Sequence, residues 1–263
     1  MTEALTYEWP SAIVTGGGTG LGRALTLKLA ESGVDVWIAG RRGELLEETR
    51  ELAGSNGNHV HPFPCDLRDP EACVKFIESI PSTGAAMLVN NAAGAFISLA
   101  EDITPNGWRS VIESSLNAPF YLTSAWGKRR IREGEGGIVL NIASATTDGG
   151  SPGTLHSGAA KSGLISMTKT LATEWARFGI RVNALSPGAF ETPGASDWGW
   201  GEKKIRDRVE GAVPLHYIAP LDEIVGPALF LLSKTARYMN GSVLKIDGGW
   251  TLTDWLYVSP KND

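Results

Sequence analysis

Short apolar runs rich in β-branched residues alternate with longer helix-patterned stretches along almost the whole chain. Repeated alternation of this kind predicts an α/β fold, a doubly wound parallel sheet of about seven strands with helices on both faces. The strands are nearly continuous apolar runs, as expected when helices cover both faces of a sheet. The predicted strands are Ala12–Thr15, Asp35–Ala39, Val60–Cys65, Ala86–Asn90, Gly137–Ile142, Ile180–Leu185 and Ser242–Ile246. The predicted helices lie near Leu21–Ser32, Glu44–Ala53, Pro70–Ile80, Trp108–Ile131, Leu155–Phe178 and Asp222–Leu232.

Composition limits what kind of protein this is. The 263 residues contain no repeat, linker or low-complexity tract, so we expect a single domain over residues 1–263. The net charge of −5 gives no reason to expect nucleic acid or an anionic membrane as a partner. Cys65 and Cys73 lack metal-ligand spacing, so we expect neither a metal site nor a disulfide framework. No run approaches 18 apolar residues and none resembles a signal peptide, so we expect a cytoplasmic location.

A glycine-rich turn joins the first predicted strand to the first predicted helix. Residues Ala12–Gly22 read AIVTGGGTGLG. Glycine is needed where the backbone takes a positive φ or approaches a pyrophosphate closely, and the N-terminus of the following helix offers free N–H groups. Four or five glycines at this spacing predict a Rossmann-type dinucleotide site; the alternative is an ordinary strand–helix turn.

The end of the second strand indicates which dinucleotide binds. Gly40-Arg41-Arg42 lies about twenty residues beyond the glycines, where an acid would accept the 2′-hydroxyl of NAD and an arginine would bind the 2′-phosphate of NADP. No acid is present, so we predict NADPH with Arg41 as the main contact and Arg42 as a second. The alternative is that both arginines are solvated surface residues.

Together with Asn90-Asn91-Ala92-Ala93-Gly94, the turn gives the chain a resemblance to the short-chain dehydrogenase/reductase family. Further matches run almost from end to end, at Asp66-Leu67, Asn117, Asn141-Ile142-Ala143-Ser144, Lys161, Pro187-Gly188, Thr192 and Asp247-Gly248-Gly249. The resemblance implies a substrate-orienting hydroxyl at Ser144, a water-holding asparagine at Asn117, and a lysine, Lys161, that holds the nicotinamide ribose. The other cofactor contacts that it implies are Gly16, Thr19, Gly20, Leu21, Gly22, Asp66, Leu67, Asn90, Ala92, Gly94, Pro187, Gly188 and Thr192.

One residue departs from the family pattern. The family's carbonyl reductases protonate the substrate with a tyrosine four residues before the lysine, on the same helical face. In this chain the residue four before Lys161 is Ser157. A serine hydroxyl is a far weaker acid than a phenol, and general acid catalysis is worth roughly 10²–10⁴-fold. We therefore expect an atypical catalytic centre.

The 2,4-dienoyl-CoA reductases of this family also lack that tyrosine. The chain is similar to them at Thr15–Gly22, Asn90–Ser98, Pro105–Trp108, His156–Lys161 and Glu174-Trp175. It differs from the mitochondrial type in two ways, because no tyrosine lies between Ser144 and Ser157 and because Ala95 replaces an asparagine.

The residues leave the source of the proton open. Ser144 and Ser157 could order a water, and His156 is the only histidine nearby, with an ordinary pKa near 6.5 that suits a general acid. His156 lies one residue off the face shared by Ser157 and Lys161, so packing or a structural hydrogen bond is its other interpretation. Tyr217 and Asp148 are further candidates.

Two segments are predicted to lie near the substrate. Residues 188–214 interrupt the alternation and are predicted to form a substrate lid, in which Trp198 and Trp200 would form an apolar wall. The basic run Lys203-Lys204-Ile205-Arg206 would meet an acidic group such as a CoA phosphate, or would be a solvated helix face. The apolar tail Trp250–Tyr257 is predicted to pack at a subunit interface or beside the site, and the resemblance implies a homo-oligomer, a tetramer or a dimer.

Three hypotheses for function follow. The first is an NADPH-dependent reductase of an activated double bond, either C=C conjugated to a carbonyl, as in an enoyl or dienoyl thioester, or C=N. The second is a keto reductase with a replacement acid such as His156, and the third is a non-catalytic NADPH-binding protein.

Overall fold

The computed structural model describes residues 5–81, 84–192 and 202–252. In chain order the strands are β1 (Ser11–Thr15), β2 (Asp35–Gly40), β3 (Val60–Pro64), β4 (Met87–Asn90), β5 (Gly137–Ile142), β6 (Ile180–Pro187) and β7 (Val243–Ile246). The helices are α1 (Gly20–Glu31), α2 (Gly43–Leu52), α3 (Pro70–Ser79), α4 (Pro105–Ile112), α5 (Ala118–Glu133), α6 (Leu155–Trp175), α7 (Lys203–Ala212) and α8 (Leu221–Leu232).

All seven strands form one parallel sheet in the order β3-β2-β1-β4-β5-β6-β7. The chain builds outward from β1 to β3, crosses back to β4 on the other side of β1, and then builds outward again. This reversal leaves a crevice at the carboxyl ends of β1 and β4, where doubly wound sheets bind ligands. The predicted Rossmann-type fold class is confirmed.

Alternate strand residues pack on opposite faces of the sheet and form two hydrophobic clusters. On one face, Val14 of β1 and Val89 of β4 pack with apolar residues of α1 and α8. On the other face, Ile13 and Leu88 pack with residues of α3 and α5, among them the fully buried Trp126. The central strands β1, β4 and β5 therefore bury both of their faces, which explains why they read as continuous apolar runs, while the edge strands β3 and β7 are only partly covered.

The long helix predicted at Trp108–Ile131 is three consecutive helical segments. Helix α4 ends at Ile112, a π-helical turn covers Glu113–Asn117, and α5 begins at Ala118. Pro119 has no backbone N–H to donate to the carbonyl of Ser115, and its ring clashes with that carbonyl in a regular α-helix, so the preceding turn widens. The buried Ser115 hydroxyl uses the wider turn to donate to Gly94 O at 3.0 Å and accept from Gly94 N at 3.2 Å.

The predicted lid contains a helix that the alternation did not show. Helix α7 spans Lys203–Ala212 and none of its residues is buried, so no apolar stripe marks it in the sequence. No helix in the described residues is long and apolar enough to cross a membrane.

Candidate functional site

The glycine turn after β1 brings the backbone close to several neighbours. Gly16 has φ +67° and its N–H donates to Ala39 O at 2.7 Å, while Gly20 has φ +51° at the start of α1. A Cβ on Gly22 would lie 2.3 Å from Gly16 O and 2.5 Å from Asn91 Nδ2, so only glycine fits there. The turn thus lies close against the loop after β4, and the residues at the start of α1, Thr19 to Leu21, line the neighbouring cavity.

A cavity of about 400 Å³ lies beside this turn at the crevice between β1 and β4. Of the residues predicted to contact the cofactor, eleven line it: Gly16, Thr19, Gly20, Leu21, Arg41, Arg42, Asp66, Leu67, Ala92, Gly94 and Thr192. The sequence prediction did not include Gly18, Leu45, Cys65, Arg68, Asn91, Ser110 and Ser114, which also line it.

Asn91, and not Asn90, lies at the cavity wall. Its Nδ2 donates to Thr15 O at 2.8 Å, and the Thr15 hydroxyl accepts from the N–H groups of Asn91 and Ala92, both at 2.9 Å. The Asn90 side chain is buried and donates to Thr123 and Asn141, each at 2.8 Å. Asn90 therefore joins β4 to β5 and α5, while Asn91 and Thr15 fix the cavity's edge.

Three guanidinium groups surround the far end of the cavity. Arg41 and Arg42 are exposed and, within the described residues, form no ion pair, although nearby Arg23 and Arg50 pair with glutamates. Arg68 forms a bidentate pair with Asp66, from Nη2 to Oδ2 at 2.5 Å and from Nε to Oδ1 at 2.9 Å, which holds the pKa of that carboxyl below its usual value. This arrangement leaves Arg41 and Arg42 available to an anion. The glycine turn and these cations fit the pyrophosphate and the 2′-phosphate of NADP(H).

Ser144 caps a short 3₁₀ turn, Ala145–Thr147, at the carboxyl end of β5. Its Oγ lies 2.9 Å from Thr146 Oγ1 and accepts from the Thr146 N–H at 3.3 Å. The hydroxyl of Thr147 donates back to Ser144 O at 2.9 Å. A compact set of hydroxyl groups thus surrounds the residue expected to orient the substrate.

Lys161 is buried in α6, and its Nζ donates to Ile142 O at 2.6 Å. Burial lowers the pKa of this amine from 10.5 to about 8. One N–H is used by the carbonyl at the end of β5, which leaves two donors for a ribose.

Ser157 and His156, both at the start of α6, differ in burial. Ser157 is half-buried, and within the described residues its hydroxyl makes no hydrogen bond. His156 is fully buried, its ring packs edge-on against Phe96 with centroids 4.3 Å apart, and its Nδ1 accepts from the Ser157 N–H at 2.7 Å. Burial lowers the pKa of His156. The neutral ring therefore carries its proton on Nε2, which has no partner among the described residues.

The remaining predicted site residues lie on other elements of the fold. Asn117 ends the π-helical turn, and its Nδ2 donates to Glu113 Oε1 at 2.8 Å. Pro187 ends β6, and Gly188 follows it so close to β7 that a Cβ there would lie 2.7 Å from Asp247 Cα. Thr192 borders the cavity opposite Gly20.

Exposed apolar side chains lie on two loops that touch near the start of α6. Phe96, Ile97 and Leu99 lie on the loop after β4, and Leu155 begins α6; the exposed fractions of Ile97 and Leu155 are 58% and 53%. The two loops touch, because Ser98 N donates to Gly153 O at 3.0 Å and Phe96 packs on His156. We call these four residues the apolar mouth. Clusters of this kind mark binding surfaces more often than isolated apolar residues do.

The lid cations are largely engaged with acids of their own segment. Lys203 pairs with Asp207 at 2.7 Å, and Arg206 pairs with Glu191 and Glu210, both at 2.8 Å. This arrangement favours the solvated-helix interpretation of the basic run.

Trp198, Trp200 and the tail beyond Leu252 lie outside the described residues. Of the two further candidates for the proton source, Tyr217 donates to Glu223 at 2.8 Å, and Asp148 pairs with Lys245.

Known proteins resemble this chain over nearly its full length. A family model described as enoyl-(acyl carrier protein) reductase matches residues 16–251. A Bacillus subtilis protein named "Probable 2,4-dienoyl-CoA reductase" is 39% identical over 94% of this chain and 99% of its own length. A 2-dehydro-3-deoxy-D-gluconate 5-dehydrogenase of Bacillus subtilis is 34% identical over 94% and 97%. An Agrobacterium tumefaciens crystal structure with bound NADP superposes with a TM-score of 0.86 and 33% identity, covering 94% of this chain and 98% of that one.

Proposed function

Because this chain belongs to the short-chain dehydrogenase/reductase family and is an NADP-dependent oxidoreductase, we propose that it reduces an activated double bond at the expense of NADPH. The preferred substrate class is an enoyl or dienoyl thioester, in which the C=C bond is conjugated to a carbonyl group. An imine-like C=N bond is the other candidate, because it would also accept a hydride with only weak acid assistance.

The cofactor cavity supplies the binding half of this proposal. Gly16, Gly20 and the N-terminus of α1 would hold the pyrophosphate, and Arg41 with Arg42 would hold the 2′-phosphate. Lys161 would donate its two remaining N–H groups to the nicotinamide ribose. When bound, NADPH supplies the hydride.

The protein's own part in the chemistry is to place the substrate and supply one proton. Ser144 Oγ would donate to the substrate carbonyl oxygen, which carries negative charge once hydride has arrived at the conjugated carbon. The free hydroxyl of Ser157 would hold a water that delivers the proton. A conjugated system spreads the charge over several atoms, so a weak acid is sufficient there, whereas an isolated ketone needs a stronger one.

The apolar mouth is the feature that favours an acyl thioester over a sugar acid as substrate. Phe96, Ile97, Leu99 and Leu155 offer a surface for a hydrocarbon chain next to Ser157, and they present no hydrogen-bonding side chain to a polyhydroxylated substrate. A sugar acid such as the substrate of the gluconate-type relative would leave its hydroxyl groups unpaired against this surface, which is costly.

A substrate panel tests the proposal. Purified protein is assayed for NADPH oxidation with 2-enoyl and 2,4-dienoyl thioesters of increasing chain length, with imines, with simple ketones and with keto sugar acids. We expect turnover of the conjugated thioesters to rise with chain length. Turnover confined to ketones or sugar acids would contradict the proposal, and tight NADPH binding with no turnover of any compound would favour a non-catalytic protein.

A second candidate is carbonyl reduction, favoured by the 34% identity to a sugar-acid dehydrogenase. It needs a replacement acid, and His156 is the residue named for that role. Its neutral ring, buried beneath Phe96, better suits packing. Replacing His156 with Phe separates the two roles: a rate within threefold of the wild type clears His156, and a fall of roughly 100-fold or more would implicate it.

The oligomeric state and the cytoplasmic location stay predictions. We propose a homotetramer or dimer, supported by the family resemblance and by the apolar tail of the sequence. Light scattering during size-exclusion chromatography tests this, because a monomer at micromolar concentration would contradict it.

A further inference from the structure

An ion pair ties the turn that carries Ser144 to the last strand of the sheet. The Asp148 carboxylate, at the end of this turn, pairs with the Lys245 ammonium of β7. Lys245 also donates to Thr251 Oγ1 at 2.9 Å, and Thr251 donates through Oγ1 and N to Asp247 at 2.7 and 3.0 Å. One cation thus joins two carboxylates, directly at Asp148 and through Thr251 at Asp247.

The hydrogen bonds inside the turn extend this tie to Ser144. The single hydrogen of the Thr147 hydroxyl lies between two acceptors, Ser144 O at 2.9 Å and Asp148 Oδ1 at 3.2 Å. The N–H of Asp148 donates to Ala145 O at 3.2 Å. Gly149 and Gly150, which follow, have open space on their Cβ side, so they add no packing that would hold the end of the turn. Within the described residues, Asp148 is therefore held by its contacts with Thr147 and Ala145 and by its ion pair with Lys245.

The direction in which the Ser144 proton points depends on the same turn. Ser144 Oγ accepts from the Thr146 N–H, and the two hydroxyl oxygens lie 2.9 Å apart. If Thr146 is the donor of this pair, both acceptor positions of Ser144 Oγ are filled and its one proton is directed away from the turn, toward a substrate oxygen.

We propose that Lys245 is a positioning residue, which through Asp148 holds the Ser144–Thr146 hydroxyl pair in the orientation that lets Ser144 donate to the substrate. This inference rests on the proposed function. Lys245 does not touch substrate or cofactor in this scheme. Without the cation, Asp148 and Asp247 repel each other and Asp148 has no attraction toward β7.

Steady-state kinetics of Lys245→Met, Asp148→Asn and the double variant test the proposal. We expect kcat to fall roughly tenfold in each single variant, because small displacements of an orienting group are costly. The double variant should be no slower than either single variant, since both remove the same tie. The dissociation constant of NADPH should stay within twofold, and Lys245→Arg should recover at least half of the activity. Additive losses, an unchanged kcat or no recovery by arginine would overturn it.

A Ser144→Ala background shows whether Lys245 acts through Ser144. In that background Lys245→Met should have no further effect on kcat, whereas a merely structural role would lower the rate again. Lys28→Met is the matched control, because Lys28 forms an exposed ion pair with Glu31 at 2.9 Å on α1. It should leave the rate unchanged.

Hydrogen–deuterium exchange separates failure of this inference from failure of the proposed function. Lys245→Met should speed exchange of the amides in residues 144–148 at least fivefold and leave those of α1 unchanged. If wild-type protein turns over no substrate but this local change is seen, the tie is real and the proposed function is wrong. If exchange in the turn does not change, Lys245 does not position it and the inference fails.

Discussion

The cavity beside α1 and the substrate side around Ser144 are held together in different ways. Backbone groups and glycines form most of the first, and although its turn rests on the loop after β4, the glycines that shape it, such as Gly22 against Gly16 O, lie within a few residues of one another in sequence. The second depends on side chains from distant segments: Phe96 with His156, and Asp148 with Lys245. A steric change should therefore abolish cofactor binding outright, while changes on the substrate side should give graded losses.

The largest effect is expected at Gly22. Gly22→Ala would place a Cβ 2.3 Å from Gly16 O, a backbone atom that cannot move away without opening the turn. We expect NADPH binding, measured by fluorescence, to weaken roughly 1000-fold, about 4 kcal/mol. The matched control is Gly226→Ala in α8, where a Cβ meets no atom within 4 Å and alanine suits a helix. Equal affinities for the two variants would refute the steric account.

Lys161→Met should lower activity and at the same time raise stability. We expect kcat/KM to fall roughly 100-fold because the ribose loses its donor. At pH 7 the variant should nevertheless be about 2 kcal/mol more stable, since it removes a buried charge and loses only one hydrogen bond.

The stability advantage of the Lys161→Met variant should shrink as the pH rises. Burial lowers the folded-state pKa of Lys161 to about 8, below the usual 10.5, so the unfolded chain binds more protons between these values. Wild-type stability should therefore rise relative to the variant from about pH 8 to about pH 10.5, and be lowest in relative terms below pH 8. Urea unfolding at pH 7 and pH 10 measures this. If the difference in stability between wild type and variant is the same at both pH values, folding does not lower the pKa of Lys161.

Arg41→Ala should weaken NADPH binding roughly 10–100-fold and leave NADH binding nearly unchanged, because a charge-assisted bond to phosphate is worth about 1.5–3 kcal/mol. Arg50→Ala is the control, since Arg50 lies on the next helix and pairs with Glu47 at 2.7 Å. Isothermal titration with both cofactors measures the ratio. A parallel loss of NADH affinity would show that Arg41 does not read the 2′-phosphate.

The smallest effect is expected at the apolar mouth. Replacing Ile97 and Leu155 with Asn should lower kcat/KM for long-chain acyl thioesters about tenfold and leave the shortest substrates unaffected, given about 0.8 kcal/mol per buried CH₂ group. Leu52→Asn, a similarly exposed leucine on α2, serves as the control. A loss that does not depend on chain length would indicate that the mouth does not hold the acyl chain.

The same contrast explains which residues sequence reasoning found. The glycine turn, Arg41 and the strands were predictable because local periodicity and turn chemistry encode them. Arg68 and Asn91 were missed although each lies beside a predicted residue, since the choice between neighbours depends on which side chain faces the cavity. The break at Glu113–Asn117 had a signal in Pro119, whose missing N–H interrupts the helix.

The sequence by itself determined the parallel sheet, the phosphate turn and the absence of a phenol before Lys161, because each depends on residue type and local spacing. Only the tertiary structure decided that His156 is buried under Phe96, that the loops carrying the four exposed apolar residues touch at the start of α6, and that Lys245 reaches the Ser144 turn. These contacts join segments that are far apart in sequence. No local pattern specifies them, since they exist only once the strands have been ordered within the sheet.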